Sequence, residues 1–488
     1  MKYKIIYITL LAGMFAASCK KGDVYPSPTT TISNTSAFGS PDRILNQVRS
    51  LYAAVRSGQF YGGRYVIYND IRADEFINEL TNGVTGLELW NESQNNNNAQ
   101  VTGLWSQAYF VINLCNVFLD GMAAGGNATV GDPLSKYYNG EARFVRALTY
   151  YSLLQLYGRP YWDGNGAKPG LPLRLTGNTG SGNYDMARSS VADIYTQILN
   201  DLNFAETNLP VAYYTTGTTL DPATNTIRAH KNTAIALKSR VYLSMQKYPE
   251  VITEANKIVS LTAPFTAATG VPHALQADIT NVFKTPFTST ESVFSMPFNA
   301  NETPGTQNQV GYYYSKSAGN GEYSLNIATG IVADAGWTAV DKRRTFVAVV
   351  AGKTWLDKKY ATGSPYTDYV PVMRYSEVML NLAEARTRST NTVDPQAVAL
   401  LNAVRNRSDA TTIFTVASFP TAADLIAAIL KERRIEFLGE GLRSPDLLRL
   451  GLPIPGKATI SVVAPTAKNY IWPISATELL LNPLCVDN

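Results

Sequence analysis

The chain has 488 residues, of which 16% are charged, and 42 Lys and Arg nearly balance 38 Asp and Glu to give a net charge of +4. Because the sequence contains no basic tract, this balance argues against nucleic acid as the partner. Three cysteines are too few for a disulfide framework, and no Cys-x-x-Cys pair indicates a zinc site.

The first residues have the pattern of a lipoprotein signal peptide. Lys2 and Lys4 precede an apolar stretch, 5–15, which is shorter than the roughly 20 residues needed to span a bilayer. Small residues then lead directly into Cys19, as in the sites where a lipid is attached to the thiol before cleavage. We therefore expect a signal peptide over 1–18 and a protein held on a membrane by acyl chains on Cys19.

Residues 19–40 are rich in Pro, Ser, Thr and Asn, which predicts a flexible tether, and we expect a single domain over 41–488. Apolar residues at helical spacing predict that 41–262 is mainly a helical scaffold. One predicted helix, near 105–119, places Tyr109, Ile112 and Asn116 on the same side.

The segment 232–261 has the layout of a tetratricopeptide repeat. Small residues Ala234 and Ala236 allow close helix packing, Tyr242 fills the gap, and a turn at Pro249 leads into a second helix. The same alternation of small and large residues also occurs in other helical bundles.

Helical periodicity stops over 263–370, a stretch rich in Gly, Pro, Asn and Tyr. Long irregular segments are usually functional or disordered, and the many aromatic residues argue against disorder. We therefore predict an irregular ligand-binding insertion here. Helices return over 371–450, and 451–488 is a C-terminal tail.

Five blocks stand out along the chain: GEARFVRALTYYSLLQLYG (140–158), RYSEVMLNLAEA (374–385), LNAVRNRS (401–408), ILKERRIEFLGEGLRSPDLLRLG (429–451) and YIWPISATELLLNP (470–483). Their order and spacing resemble the SusD/RagB family of outer-membrane lipoproteins of the Bacteroidetes. The resemblance implies a mostly α fold, a right-handed superhelix of tetratricopeptide-like helix pairs with a loop-rich irregular half.

The resemblance also implies a function. Members of this family sit on the extracellular face of the outer membrane, bind a glycan without cleaving it, and deliver it to a TonB-dependent, SusC-like transporter. The expected partners of this chain are thus a glycan, such a transporter, and the membrane through its N-terminal lipid.

The residues offer little for catalysis. His230 and His273 have no metal-ligand neighbours at helical spacing, and no nucleotide-binding or nucleophile motif is present. Asp70 and Asp74 would share a helix face, but such a pair is more often a solvated face than an acid/base pair. No catalytic residue, metal or cofactor is therefore predicted.

The dense charges of 431–449 have two interpretations. Arg–carboxylate pairs could hold the C-terminal helix to its neighbours, which is the favoured interpretation, or the cluster could bind an acidic ligand.

A sugar is recognised by a flat aromatic ring under its C–H face and by polar groups around its rim, and Tyr and Trp are well suited to this. In the resembled family the glycan platform draws on loops that correspond to 70–98 and 305–345. The predicted glycan-binding residues are Arg72, Asp74, Trp90, Asn91, Tyr312, Tyr313, Tyr314 and Trp337. Trp90 has polar neighbours in sequence, so we expect its ring to be exposed.

Two other functions are open from sequence alone. One is a helical-repeat scaffold that binds a peptide or protein along the concave face of the repeats, or a transporter lid for cargo other than glycans. A surface glycosidase would need two close carboxylates in a cleft.

Overall fold

The structure, a computed structural model, describes residues 34–488. The predicted signal peptide, the predicted lipid-attachment residue Cys19 and the predicted tether up to residue 33 lie outside the described residues.

Helices dominate the described residues, which confirms the predicted mostly α fold. The helices are α1 (Asn34–Ala37), α2 (Pro41–Val55), α3 (Arg64–Arg72), α4 (Leu87–Trp90), α5 (Ala99–Gly121), α6 (Asn127–Val130), α7 (Leu134–Tyr157), α8 (Val191–Asn208), α9 (Pro222–Ile227), α10 (Lys231–Ser244), α11 (Tyr248–Ala255), α12 (Val310–Tyr314), α13 (Tyr375–Thr390), α14 (Pro395–Asn406), α15 (Ala422–Glu436), α16 (Arg443–Arg449) and α17 (Ala476–Leu481).

Side-chain caps fix where several of these helices begin. The Asn98 side chain accepts hydrogen bonds from two backbone amides in the first turn of α5, and Ser190 does the same for one amide of α8. Thr421 and Asp424 form a reciprocal capping box at α15. Such caps satisfy amides that have no partner inside the helix.

The long helices pack in series. α2 lies against α5 and α7, and the chain of contacts continues through α7–α8, α8–α10, α10–α11, α11–α13, α13–α14 and α14–α15. Ala234 and Ala236 are buried where α10 meets its neighbours, as the close approach of helices requires. This series is the frame on which the loops are mounted.

The strands are short and pair two by two within the described residues. They are β1 (Phe76–Asn78), β2 (Pro169–Pro172), β3 (Arg188–Ser190), β4 (Tyr214–Thr216), β5 (Thr219–Leu220), β6 (Ser292–Met296), β7 (Tyr323–Leu325), β8 (Ala348–Val350), β9 (Lys353–Trp355) and β10 (Val370–Arg374). The antiparallel pairs are β1–β7, β2–β3, β4–β5, β6–β10 and β8–β9.

Buried ion pairs join the loop-rich part of the chain to the C-terminal helices. The Arg374 guanidinium contacts Glu291 at 2.5 Å, Glu436 at 2.7 Å and Glu440 at 2.8 Å. Arg343 pairs with Glu436 at 2.8 Å in the same network. The charges of 431–449 thus hold helices together, which confirms the favoured interpretation of that cluster.

Candidate functional site

The two segments predicted to carry the ligand, 70–98 and 305–345, lie side by side in the structure. β1 pairs with β7, with Phe76 opposite Leu325 and Asn78 opposite Tyr323. Main-chain hydrogen bonds continue the pairing beyond both strands, from Glu79 to Glu322 and from Asn326 to Glu75.

The exposure predicted for the Trp90 ring is wrong. Its side chain is buried, and the indole Nε1 donates to the Phe76 carbonyl at 2.9 Å. The ammonium of Lys457 lies 5.7 Å from the centre of the ring. Polar neighbours in sequence suggested a surface position, but one of them, Glu92, is itself buried as the partner of Arg72.

Two of the three tyrosines of α12 that were predicted to bind a glycan, Tyr313 and Tyr314, are also buried, which corrects their prediction as ligand residues. Tyr313 donates to the Gln307 carbonyl at 3.0 Å. The Tyr314 hydroxyl donates to Asp70 at 2.8 Å, and its ring stacks on Phe76 with centroids 4.7 Å apart. A ring whose faces are covered by protein has no face left for a sugar.

Trp337 is buried as well, because the Arg344 guanidinium covers its ring at 4.2 Å from the centroid. Arg344 also donates to the Trp337 carbonyl, at 2.5 Å. This pairing fixes the loop, and it leaves the ring unable to serve as the exposed platform that the sequence predicted.

Arg72 and Asp74 are structural ion-pair partners rather than free polar groups. Arg72 contacts Glu92 at 3.3 Å, and Asp74 contacts Arg434 at 3.1 Å and Arg443 at 2.9 Å. Burial opposes ionisation of Asp74, but the hydrogen bond and charge of Arg443, together with the charge of Arg434, hold the pKa of this carboxyl below its usual range. The acidic segment is therefore not a solvated face.

Two predicted residues, Asn91 and Tyr312, remain partly exposed. The Tyr312 ring meets the Tyr366 ring edge-on, with centroids 6.0 Å apart. A role of Asn91 and Tyr312 in ligand binding stays a prediction.

A cleft of about 520 Å³ lies elsewhere, along α5. Three parts of the chain form it: one stripe of α5, the loop 174–185 and the C-terminal helix α17 with the residue that follows it. It is lined by Tyr109, Ile112, Asn113, Asn116, Arg174, Asn178, Gly182, Asn183, Tyr184, Asp185, Glu478, Leu481 and Asn482. We call this the α5 cleft.

Amide side chains of α5 hold the 174–185 loop in place. Asn113 exchanges two hydrogen bonds with the main chain of Asn178, at 2.7 and 3.0 Å. Asn116 donates to the Arg174 carbonyl at 3.0 Å, and the Gly177 amide donates to Asp120 at 2.8 Å. These bonds tie the loop across the helix and make the cleft a built feature of the fold.

An ion pair forms part of the lining of the α5 cleft. Arg174 donates to the Tyr184 carbonyl at 2.7 Å and contacts Glu478 at 3.3 Å. Glu478 also accepts from Trp105 at 3.3 Å and from Asn482 at 2.7 Å. Both oxygens of this carboxylate are therefore occupied by protein donors.

The remaining groups can bind a polar ligand that has an apolar face. Tyr184 is 38% exposed. Tyr109 also lines the cleft and is half-buried, with its ring against Trp105 at 4.8 Å between centroids and its hydroxyl donating to the Pro172 carbonyl at 2.9 Å. Within residues 34–488, neither the Asp185 carboxylate nor the Asn178 side-chain amide has a protein partner. Rings with free amide and carboxylate groups beside them are the combination that recognises sugars.

Sequence reasoning predicted one wall of this cleft and missed the others. Tyr109, Ile112 and Asn116 were placed on one side of a helix, as observed. The loop and α17 were missed because they reach α5 only through tertiary contacts. One local signal was available, since Tyr184 stands in the polar stretch GNTGSGNYD, the setting in which an exposed aromatic is expected.

The described residues contain no group of three or more His, Cys, Asp or Glu that could hold a metal ion. His230 and His273 stack on each other inside the core, 5.3 Å apart, and burial lowers the pKa of both.

Two family models match this chain. One, described as "Starch-binding associating with outer membrane", matches residues 30–243, and the other, described as "SusD family", matches residues 260–488.

Several known proteins are similar over nearly the whole chain. A SusD superfamily protein from Bacteroides fragilis is 31% identical, with a TM-score of 0.79 over 92% of this chain and 99% of that one. The curated SusD-like protein P2 of Formosa agariphila is 23% identical over 100% of this chain and 99% of its own length. A SusD-like carbohydrate binding protein from Bacteroides vulgatus is 18% identical, with a TM-score of 0.75 over 91% of this chain and 97% of that one, which is a likeness of fold.

Proposed function

The chain belongs to the SusD family, and from this premise we propose that it binds a glycan at the cell surface, without cleaving it, and passes the glycan to a SusC-like, TonB-dependent transporter. One of the two family descriptions names starch binding and association with the outer membrane, and one similar structure is named as carbohydrate binding.

The observation that carries the proposal is the chemistry of the α5 cleft. A volume of about 520 Å³ is in the range of small-molecule sites and can hold a few sugar rings. The exposed ring of Tyr184 offers a face for C–H groups, while Asn178 and Asp185 offer partners for hydroxyl groups.

The carboxylates of the α5 cleft fit a protein that binds a glycan better than they fit a glycosidase. A glycosidase uses two carboxyl groups, one of which donates a proton to the leaving oxygen. Here Glu478 is held by Arg174, Trp105 and Asn482, so Asp185 is the one carboxylate lining the described cleft that is free to meet a ligand.

Membrane attachment and hand-over complete the proposal. Acyl chains on Cys19 would keep the protein at the outer membrane, facing outwards, beside the transporter. Cys19→Ala should abolish incorporation of a labelled fatty acid into the protein. Labelling of this variant at the wild-type level would contradict anchoring through Cys19.

The test of glycan binding is a titration of the full-length chain, solubilised in detergent, with a panel of plant, fungal and host polysaccharides. We expect at least one glycan to bind, and Tyr184→Ala to weaken that binding at least about tenfold, because the ring is lost from the cleft. Tyr214→Ala is the matched control, since Tyr214 is also an exposed tyrosine (47%) but lies on the β4–β5 hairpin.

Two outcomes of this titration would contradict the proposal in different ways. If no glycan binds, the chain is not a glycan receptor, and a role as transporter lid for other cargo becomes the better account. If a glycan binds and both tyrosine variants behave like the wild type, the glycan site lies outside the α5 cleft.

A further inference from the structure

The α5 cleft is lined by more negative than positive groups, and these groups differ in whether a protein partner already engages them. One guanidinium, Arg174, and two carboxylates, Asp185 and Glu478, line the cleft. Arg174 is already engaged by Glu478 and by the Tyr184 carbonyl, so its charge is neutralised within the protein. The free charge that faces a ligand is the negative charge of Asp185.

Two cations outside the cleft lining, Arg188 and Arg146, have their donors engaged by acceptors of the protein, although the acceptors of Arg188 are uncharged. Arg188, on β3, donates to the carbonyls of Pro169, Gly170 and Val486 and to the side chain of Asn488. Behind Asn116, Arg146 forms a bidentate pair with Asp201 at 2.8 Å. No guanidinium or ammonium that lines the described cleft is left without a protein partner.

The charge of the α5 cleft is therefore unfavourable for an anionic sugar. A uronate or sulfate group must lose water to enter the cleft, and it would find a carboxylate in place of a cation. A neutral sugar has hydroxyl groups that donate to Asp185 and accept from the Asn178 and Asn183 amides, at no such cost.

We infer that the α5 cleft selects uncharged glycans over uronate-containing or sulfated ones, and that Asp185 is the residue that determines this specificity. The inference rests on the glycan-binding function proposed above and adds the class of ligand. Rings supply affinity for any sugar, and the charge pattern supplies the discrimination.

The experiment compares pairs of polymers that share a backbone and differ at the group that carries the charge. Polygalacturonate is paired with its methyl ester, a sulfated galactan with its desulfated form, and a glucuronate-bearing xylan with its carboxyl-reduced form. Each is titrated into the full-length chain at low salt, where charge effects are largest. In each pair that binds, we expect the dissociation constant of the neutral polymer to be at least about tenfold lower than that of the anionic polymer.

Asp185→Asn tests the residue while keeping its size. We expect this variant to bind the anionic polymer about threefold to tenfold more tightly than the wild type does. The ratio between the affinities for the neutral and the anionic polymer should therefore become smaller. Glu250→Gln is the control, because it removes one exposed negative charge on α11, which contributes no residue to the cleft. Tyr184→Ala should weaken binding of the neutral member.

The possible outcomes distinguish failure of this inference from failure of the proposed glycan-binding function. Absence of binding by all six polymers, while other glycans of the panel bind, overturns the inference, and absence of any glycan binding overturns the proposed function itself. Anionic binding as tight as neutral binding overturns the inference alone. So does an Asp185→Asn variant whose ratio of anionic to neutral affinity is unchanged. A Tyr184→Ala variant that still binds the neutral polymer normally overturns the inference and also shows that the glycan site lies outside the α5 cleft.

Discussion

Asp70 is a buried carboxyl group near the end of α3, and it accepts a hydrogen bond from Tyr314 at 2.8 Å. Burial raises the pKa of Asp70 to about 8, although hydrogen bonds from Tyr314 and the Gly441 amide favour its charged form. An Asp in an unfolded chain has a pKa of about 4. Between about pH 4 and 8, the folded protein therefore holds a proton that the unfolded chain has lost.

This difference predicts that Asp70 makes the protein less stable as the pH rises through that window. Asp70→Asn removes the titration and keeps an acceptor for Tyr314. The stability of the variant relative to wild type should grow by up to about 1.4 kcal/mol per pH unit between about pH 5 and 7. Urea unfolding at three pH values measures it, and a difference that does not change with pH would refute the prediction.

Substitution of Trp90 is predicted to lower stability, whereas substitution of Tyr184 is predicted to weaken glycan binding. Trp90→Ala should lower the free energy of unfolding by about 3–5 kcal/mol, because a buried ring and its bond to Phe76 are lost. Tyr184→Ala should change the free energy of unfolding by less than about 1 kcal/mol, because the ring is partly exposed.

Chemical denaturation and glycan titration of the two variants check this contrast. A stable Trp90→Ala protein that has lost glycan binding would restore Trp90 as a ligand residue and contradict its role in the core.

At the scale of elements, the 174–185 loop depends on how closely it lies against α5. A Cβ atom at Gly177 would lie 2.7 Å from Cγ2 of Val117 and 3.0 Å from Oδ2 of Asp120, whereas one at Gly180, in the same loop, would meet nothing within 4 Å. Gly177→Ala should lift the loop from the helix and weaken glycan binding several-fold, with a loss of stability of about 1–3 kcal/mol.

Gly180→Ala is the matched control and should bind like the wild type. Titration with the best ligand of the panel compares the two. Equal affinities for both variants would mean that the position of this loop does not shape the binding site.

The stripe of Tyr109, Ile112 and Asn116 could be predicted, because a helix repeats every 3.6 residues and the pattern is local in sequence. The pairing of Arg174 with Glu478 could not, since 304 residues separate the two partners. A single sequence carries no periodic signal for such a contact, and the cleft exists only where the two segments meet.

At the scale of the whole molecule, Arg374 links the loop-rich part to the C-terminal helices through three buried carboxylates. Arg374→Met would remove the one cation that all three carboxylates share. Each carboxylate keeps a second partner (Arg407 for Glu291, Arg343 for Glu436, Lys359 for Glu440), but the buried network is left one positive charge short. We expect a loss of about 3–5 kcal/mol at neutral pH. Arg388→Met is the control. Arg388 is partly exposed, and its partner Glu384 keeps Arg449, so its loss should cost about 1 kcal/mol or less.

Thermal or urea unfolding of the two variants measures the difference. Equal stabilities would show that the buried network does not hold the two parts of the molecule together.

The mostly α fold could be predicted from periodicity and from the resembled blocks, whereas the burial of the loops could not. Trp90 stands among polar residues in sequence, and Tyr314 and Trp337 stand in the segment without helical periodicity. Each ring is nevertheless covered by partners far along the chain or by a neighbouring arginine. Polar neighbours that bind one another inside the protein look, in sequence, like polar neighbours that face water.

The most direct test of the account is a crystal structure of the protein with an oligosaccharide of the glycan that binds best. We predict sugar rings in the α5 cleft, with a C–H face against Tyr184 and hydroxyl groups on Asp185 and Asn178. Sugar bound instead on the loop-rich part, near Tyr312 and Asn91, with the α5 cleft empty, would contradict the assignment of the site.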